Sequence, residues 1–227
     1  MRILTFDTSG DKMYVTMGND GQVDISRIIE NTAQRYHSAS LIPIIAELLR
    51  EKNITMQDIN AVGVNIGPGS FTGIRASATV ARIMAQNLNI PVIGISSLEI
   101  FSLINNTDKN SLCLLDARKG KAYTGVYTPE ADVIKEPTAL EYNDIIDFAK
   151  NNDFFIIADK IMSEKLKTEG LECVNLQETD YDFGINLAKL TYKHLKTDDR
   201  EQFKWFNLKP LYIQPPPITM PKNLSGK

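Results

Sequence analysis

Nine consecutive residues of this 227-residue chain have types and spacing that could bind an anion. They follow the apolar run 61–66 and precede a helical pattern that begins near Ile74, so they form a strand-to-helix turn. Glycines permit left-handed backbone and close approach, and the first N–H groups of a helix point outward with the positive end of its dipole. The turn therefore predicts either a phosphate-contacting loop or a structural turn that only needs glycine backbone. Its sequence is Gly67-Pro68-Gly69-Ser70-Phe71-Thr72-Gly73-Ile74-Arg75.

The generic glycine-rich motifs do not fit this turn. A Walker loop would place Lys and Ser or Thr after the last glycine, where Ile74 and Arg75 stand, and the dinucleotide fingerprint needs a glycine in place of Thr72. The nucleophile elbow Gly-x-Ser-x-Gly fails at the same threonine, so Ser70 completes only half of that motif. A hydrolytic triad is further disfavoured because the chain has only two histidines.

Two aspartates end apolar runs that read as strands. Asp7 is followed by Thr8 and Ser9, and Asp116 ends the first strand-like run of the second half. Side chains at such positions could contact a nucleotide or a metal-bound water. Alternatively, Asp7 and Ser9 shape a hairpin, and Asp116 pairs locally with Arg118. The residues alone leave both interpretations open.

No local pattern indicates a metal site. A helical partner for His37 would stand at position 41, which is Leu41, and the chain's two cysteines are far apart in sequence. We expect no intrinsic metal centre, and we expect Cys113 and Cys173 to be reduced, packed thiols.

Composition and charge narrow the functional class. Hydrophobic residues make up 43% and charged residues 23% of the chain, as in ordinary globular proteins. A net charge of −3 disfavours a protein that holds RNA or an acidic membrane by its own field. The N-terminal residues enter an apolar strand directly, without the pattern of a signal peptide or membrane span, which predicts a cytoplasmic location.

Periodicity predicts an α/β chain in two parts. Strands are expected at 2–7, 13–17 and 23–29, with Asp20-Gly21 as a hairpin turn, followed by a helix over 38–52 and a strand over 61–66. A helix from Ile74, a strand over 91–95 and a short helix opened by a Ser96–Glu99 capping box come next. After the polar break 105–110, strands are expected at 112–116, 122–127 and 154–158, and helices at 142–150, 160–169 and 184–196.

Two neighbouring helices carry more apolar or small residues than a surface helix needs. In the helix over 38–52 the apolar side chains spread over an arc of roughly 160°, wider than the stripe that one core requires. The next helix supplies small residues that permit close approach of another helix. Either both helices are well buried in their own domain, or a partner covers part of this face.

The chain resembles the bacterial TsaB-type family of tRNA threonylcarbamoyladenosine biosynthesis, the noncatalytic paralogues of the TsaD-type subunit. The resemblance implies an actin-like ATPase (ribonuclease-H-like) fold, with an N-terminal lobe over 1–105, a reduced C-terminal lobe over 106–213 and a proline-rich tail over 214–227. The last helix of the second lobe would pack back on the first. The resemblance is carried by residues 67–75, Asp7-Thr8-Ser9, His37-Ser38 with Leu41 and Pro43, Ser96-Ser97-Leu98-Glu99, Asp116-Ala117-Arg118 with Tyr123, and Pro210-Leu211-Tyr212.

The resemblance implies a scaffold subunit that is not an enzyme on its own. It would serve a complex that transfers a threonylcarbamoyl group to the adenosine beside the anticodon of tRNA. The implied partners are the TsaD-type catalytic paralogue, a TsaE-type P-loop ATPase and, when alone, a second copy. Contact with tRNA would be indirect, through the complex, and no membrane would be involved. No intrinsic cofactor is implied, although ATP or ADP at the interface with the partner stays open.

Two sets of candidate residues follow. The resemblance selects the two helices as the partner surface, with His37, Leu41, Ile44, Ile45, Leu48, Ser77, Ala78, Ala81 and Ala85. The nucleotide-contacting candidates are Asp7, Thr8, Ser9, Gly67, Gly69, Ser70, Gly73, Arg75 and Asp116. The fold and the two aspartates also admit an independent small-molecule kinase or ATPase, which would bind or hydrolyse ATP by itself.

Overall fold

A computed structural model describes residues 1–30, 37–197 and 200–214, with the side chains of His37 and Ser38 outside that description. The first half of the chain contains five strands and three α-helices: β1 (Arg2–Asp7), β2 (Lys12–Asn19), β3 (Gln22–Glu30), α1 (His37–Glu51), β4 (Ala61–Gly67), α2 (Phe71–Leu88), β5 (Val92–Ser96) and α3 (Ser97–Ser102). The second half contains β6 (Ser111–Asp116), β7 (Lys121–Tyr127), β8 (Val133–Glu141), α4 (Tyr142–Lys150), β9 (Phe155–Ala158), α5 (Lys160–Thr168), β10 (Val174–Asn175) and α6 (Phe183–His194).

The two halves repeat one sheet topology. The first sheet has the order β3-β2-β1-β4-β5, and the second has the corresponding order β8-β7-β6-β9-β10. In each sheet the first three strands form an antiparallel meander, and the fourth strand adds parallel to the first. The strands β9 and β10 have only four and two residues, so the second sheet is the smaller one. The expected α/β architecture with a reduced second sheet is confirmed.

Local sequence signals explain the first meander. Asp20 and Gly21 both have positive φ, of 51° and 86°, which is the backbone of the two-residue hairpin turn predicted there.

The strand β4 is buried almost along its whole length because helices cover both faces of the sheet.

Exchanged helices join the two halves through a hydrophobic cluster to which both contribute. The helix α6, from the second half, packs across the first sheet, while α3, from the first half, packs on β6 and β7. The rings of Phe101 and Phe183 meet edge to face at 4.8 Å between centroids, and the Asn186 side-chain amide donates to the Ile100 carbonyl at 3.1 Å. Neither half is therefore packed independently of the other.

Residues 203–212, which we call the C-terminal strap, return to the first half. Leu208 is buried in the core of the first sheet, and the Leu211 amide donates to the Ile66 carbonyl at 2.8 Å. The Tyr212 ring lies 5.8 Å from the Phe71 ring at the start of α2. The proline-rich tail predicted from 214 onward lies outside the described residues, apart from Gln214.

Two local predictions need correction. The helix α2 begins at Phe71 rather than near Ile74, because Ser70 caps it. Ser96 caps α3 by accepting from the Leu98 amide, but the Glu99 carboxylate bonds to His194 Nε2 at 2.6 Å, so the expected capping box does not form. Periodicity also missed β8 and β10, since β8 mixes charged residues and a proline and β10 is very short.

Candidate functional site

Most of the predicted partner face lies inside the molecule. On α1, Leu41, Ile45 and Leu48 are at most 2% exposed, because the middle of the apolar arc packs on the first sheet. The small residues of α2 are at most 3% exposed, since they bring the helix close to β4 and α1. As residues that contact a partner directly, these seven are corrected to core positions: Leu41, Ile45, Leu48, Ser77, Ala78, Ala81 and Ala85.

The outward face of the same two helices carries exposed apolar side chains. Ile42 and Ile44 lie at the two edges of the α1 arc; Ile42 is 59% exposed, whereas Ile44 is half-buried. On α2, Ile83 is 54% exposed. The prediction for Ile44 stays open, and that for His37 falls on a side chain outside the described residues. The outward-facing residues of α1 also include Ala39, Pro43 and Ala46.

Asn65, at the end of β4, organises the loop after β1. Its side-chain amide donates to Asp7 Oδ2 at 2.8 Å and to Ser9 Oγ at 3.0 Å. Its Oδ1 accepts from the Gly67 amide at 2.7 Å and from the Ser97 hydroxyl at 2.9 Å. Asn65 is fully buried, and such a satisfied polar network fixes one arrangement of the groups that it joins.

The glycine-rich turn packs on that same loop. A Cβ at Gly73 would lie 1.9 Å from the Thr8 carbonyl oxygen, and one at Gly69 would lie 2.8 Å from the Ser9 carbonyl oxygen. The Ser70 amide donates to the Ser9 carbonyl at 2.7 Å. The space beside these glycines is thus occupied by the protein's own backbone. This favours the structural-turn interpretation over a phosphate loop.

The start of α2 uses its polar groups locally. Ser70 Oγ accepts from the Gly73 amide at 3.3 Å as the helix cap, and the Thr8 hydroxyl donates to the Gly73 carbonyl at 2.7 Å. Ser9 donates its amide to Asp7 Oδ1 at 2.7 Å, so the hairpin-shaping role of Asp7 is confirmed. Of the nucleotide-contacting candidates here, Gly69, Ser70 and Arg75 are exposed, whereas Asp7, Thr8, Ser9, Gly67 and Gly73 are buried.

The second lobe keeps Asp116 more open. Its Oδ1 accepts from the Tyr142 hydroxyl at 2.6 Å and from the Arg118 backbone amide at 2.9 Å. The local pairing expected with Arg118 is thus made by the amide rather than the guanidinium. Burial, together with the hydrogen bond to Asp116, raises the pKa of Tyr142 to about 12.

Asp159 stands beside this cluster and caps α5. One carboxylate oxygen accepts from the Met162 amide at 2.9 Å, and the other accepts from the Asp116 amide at 2.7 Å. Burial raises the pKa of Asp159 in spite of these amides. Among the described residues, no three His, Cys, Asp or Glu side chains are grouped as metal ligands would be.

The matching protein family is described as "TsaD: tRNA N6-adenosine threonylcarbamoyltransferase", and the match covers residues 25–193. The chain belongs to this family, as a TsaB-type member.

Three curated relatives carry the name tRNA threonylcarbamoyladenosine biosynthesis protein TsaB. The Escherichia coli protein is 32% identical over 130 residues, which is 56% of this chain and 55% of that protein. The Bacillus subtilis protein is 33% identical over 129 residues, 56% and 55% of the two chains. The Haemophilus influenzae protein is 24% identical over 195 residues, 85% and 74% of the two chains.

The chain spans about half the length of the first two of these TsaB relatives. Two solved structures agree with its fold over almost its full length. One is an uncharacterized Pseudomonas aeruginosa protein with similarity to the peptidase YeaZ, with a TM-score of 0.76, covering 94% of this chain and 99% of that one. The other is YeaZ from the same organism, with a TM-score of 0.71, covering 93% and 99%. Both are 20% identical to the chain, so they establish the fold alone.

Sequence reasoning missed two features of this region, the buried Asn65 network and the aromatic rings of the strap. Asn65 ends an apolar run, and an amide at the end of a buried strand was the available signal for its network. The strap brings the half-buried Trp205 and the exposed Tyr212 to α2, and no periodic pattern indicated this. In the part of the chain that the structure describes, no helix is long and apolar enough to cross a membrane. Cys113 and Cys173 are free thiols, as expected.

Proposed function

We propose that this chain is a noncatalytic scaffold subunit of the complex that transfers a threonylcarbamoyl group to the adenosine beside the anticodon of tRNA. Family membership and the printed names of the TsaB relatives support the pathway. The scaffold role is supported by the hydrogen bonds of the polar groups around Asp7 and the glycine-rich turn, which are made within the protein. The carboxylate, hydroxyls and glycines of the first lobe are engaged with one another instead of lining an open cradle.

The outward face of α1 and α2 is the observation that carries the proposal. Ile42 and Ile83 are large apolar side chains that are more than half exposed on two helices packed side by side. Exposed apolar surface on neighbouring helices typically marks an interaction site. Its burial removes surface from water at roughly 25 cal/mol per Å², which is enough to drive an interface of ordinary size.

The partner of this face would be a TsaD-type catalytic paralogue, with a second copy of the chain as the substitute when the paralogue is missing. A TsaE-type P-loop ATPase would join the assembled pair. Contact with tRNA would be made through the complex, in keeping with the net charge of −3. ATP or ADP would bind at the boundary between the subunits. All of this would take place in the cytoplasm.

Co-purification with the paralogue, followed by a tRNA modification assay with and without this chain, tests the proposal. Ile42→Arg and Ile83→Arg should each abolish or strongly weaken the complex, because a charge would be buried at the interface. Ile161→Arg is the matched control, since Ile161 is a helical isoleucine of similar exposure, 53%, on α5 of the second lobe. This control should leave the complex intact.

Two outcomes would contradict the proposal. Modification at full rate without this chain would exclude a required scaffold. Hydrolysis of ATP by the purified chain alone, at a rate typical of an enzyme, would favour an independent ATPase instead.

A further inference from the structure

The outward face of α2 has an unusual charge pattern. The helix contains two arginines, Arg75 and Arg82, and no acidic residue. Seven residues span almost two full turns, so the two side chains leave the same side of the helix about 10 Å apart along its axis. Within the described residues, no carboxylate lies at ion-pair distance from either guanidinium. Over the described parts of the chain, two cations are therefore presented without an acidic partner.

Each guanidinium is held by an aromatic ring. Arg75 lies 5.1 Å from the centroid of the Phe71 ring, and Arg82 lies 5.7 Å from that of Trp205. A cation that rests on a ring face has fewer accessible rotamers while its N–H donors stay available. Less side-chain entropy is then lost when an incoming carboxylate binds.

The C-terminal strap makes this arrangement possible. It carries Trp205 to α2 and is itself anchored by the buried Leu208 and by the Leu211 amide bond to Ile66. Between the strap and the helix lies a shallow hollow of about 180 Å³. Its lining combines apolar and cationic groups: Thr79, Arg82, Ile83, Gln86 and Trp205. The hollow suits a side chain from an apposed helix.

A second copy of the chain is a poor electrostatic match for this surface. On the outward side of α1, Glu47 is offset by Arg50, and Glu51 is bound to Arg27 at 2.6 Å. Two copies placed face to face would therefore bring four arginines of α2 together against few free carboxylates. Like charges across an interface oppose association, so this charge pattern favours a different and more acidic surface over a second copy.

We propose that α2 and the C-terminal strap recognise a partner helix that bears two carboxylates about two turns apart beside an apolar stripe. This inference rests on the proposed function and deepens it, because the helix would belong to the TsaD-type paralogue. Arg75 and Arg82 each bind one carboxylate, and the partner's apolar stripe covers Ile83 and the hollow beside Trp205. The arginines set orientation and select the paralogue over a second copy.

The test compares charge reversals at equal spacing. The dissociation constant for the paralogue is measured by titration calorimetry at low and high salt, using the full chain. Arg75→Glu/Arg82→Glu should weaken binding more than tenfold at low salt and flatten its salt dependence. Lys160→Glu/Lys167→Glu is the matched control, because these two exposed lysines are also seven residues apart, on α5. It should change neither quantity.

Further variants separate recognition from folding. Arg75→Gln/Arg82→Gln removes the charges with little change of size and should lie between wild type and the reversal, with unfolding curves that coincide. Glu→Arg or Asp→Arg changes on the paralogue's helix that restore binding to the reversed chain would identify the carboxylates.

The results distinguish this inference from the proposed function. If wild type binds the paralogue and the reversal binds equally well with the same salt dependence, the inference is overturned and the scaffold role stands. If wild type does not bind the paralogue, the proposed function itself fails. If the charge-reversed variant binds the paralogue normally but no longer binds tRNA, this face binds nucleic acid and the inference is also overturned.

Discussion

The loops that follow the first strand of each sheet occupy equivalent places in two sheets of the same topology, yet their surroundings differ. Asp7 ends β1, is 5% exposed, and is held by Asn65 under the glycine-rich turn. Asp116 ends β6, is half-buried, and is reached by a tyrosine hydroxyl. The sheet order fixes where each aspartate lies, while the next strand-to-helix connection decides how far it is covered.

That connection differs in one respect. The glycine-rich turn that joins β4 to α2 has glycines at 67, 69 and 73. A Cβ at Gly69 or at Gly73 would collide with the Thr8–Ser9 backbone. Between β9 and α5 the chain uses Asp159, whose carboxylate caps the helix and accepts from the Asp116 amide. Two sheets of the same topology thus have a covered loop after β1 and a more open loop after β6. The difference is that glycines in the turn before α2 let it pack directly on the first loop, whereas the turn before α5 carries the Asp159 side chain.

The sharpest test of the closed loop is Gly73→Ala. The new methyl group would lie 1.9 Å from a backbone carbonyl oxygen, and backbone on both sides has little room to move. We expect the free energy of unfolding to fall by about 4 kcal/mol. Urea unfolding measures it. Gly10→Ala is the control, because its Cβ would meet nothing closer than 4.0 Å; equal effects of the two variants would refute the packing account.

Asn65→Ala should have the next largest effect. The change removes four buried hydrogen bonds and leaves the Gly67 amide and the Asp7 carboxylate without this partner. A loss of about 3 kcal/mol is expected. Asn87→Ala, which removes one exposed helix-surface bond, should cost less than about 0.5 kcal/mol. Thermal unfolding of both variants checks the contrast, and a small loss at position 65 would mean that the network is not cooperative.

The open loop of the second lobe should tolerate change far better. In Asp116→Asn the side-chain oxygen can still accept from Tyr142 and Arg118, so only the negative charge is lost. The expected cost is about 1 kcal/mol or less. A cost as large as that of Asn65→Ala, measured under the same conditions, would remove the contrast between the two loops.

Tyr142 offers a smaller, spectroscopic readout of the same difference. Its pKa is raised to about 12, from about 10 in an unfolded chain, so the folded state holds the phenol proton more tightly. This contribution to stability is complete below pH 10 and is lost as the pH rises through about 12. Phenolate absorbance, taken as the difference from Tyr142→Phe, should show the pKa falling toward 10 in Asp116→Asn. An unchanged pKa would show that burial alone sets it.

Much of the fold was predictable because its signals are local. The hairpin at Asp20-Gly21 needs two residues with positive φ, and the bounds of α4 follow from its amphipathic pattern. The strand β8 was missed because its alternation is interrupted by charges and Pro137, residues that an edge strand tolerates. The exchange of α3 and α6 between the sheets also has no local signature, since it depends on which surfaces the two sheets leave uncovered.

The candidate site was only partly predictable for a related reason. The width of the apolar arc on α1 correctly signalled more burial than a surface stripe, but periodicity does not say which edge meets the sheet. The structure assigns Leu41, Ile45 and Leu48 to the core and leaves Ile42 outward. The pairing of Arg82 with Trp205 joins residues more than one hundred positions apart, beyond the reach of any window along the chain.

The sequence by itself determined the α/β class, the hairpin, the helix start at Ser96, and a family resemblance concentrated in residues 67–75. Those features depend on backbone preferences and hydrogen bonds between near neighbours. Tertiary structure alone decided that the loop after β1 packs into the glycine turn, and that Trp205 of the strap lies against Arg82 of α2. Both depend on distant segments that excluded volume and burial bring together, and neither leaves a mark in the local order of residues.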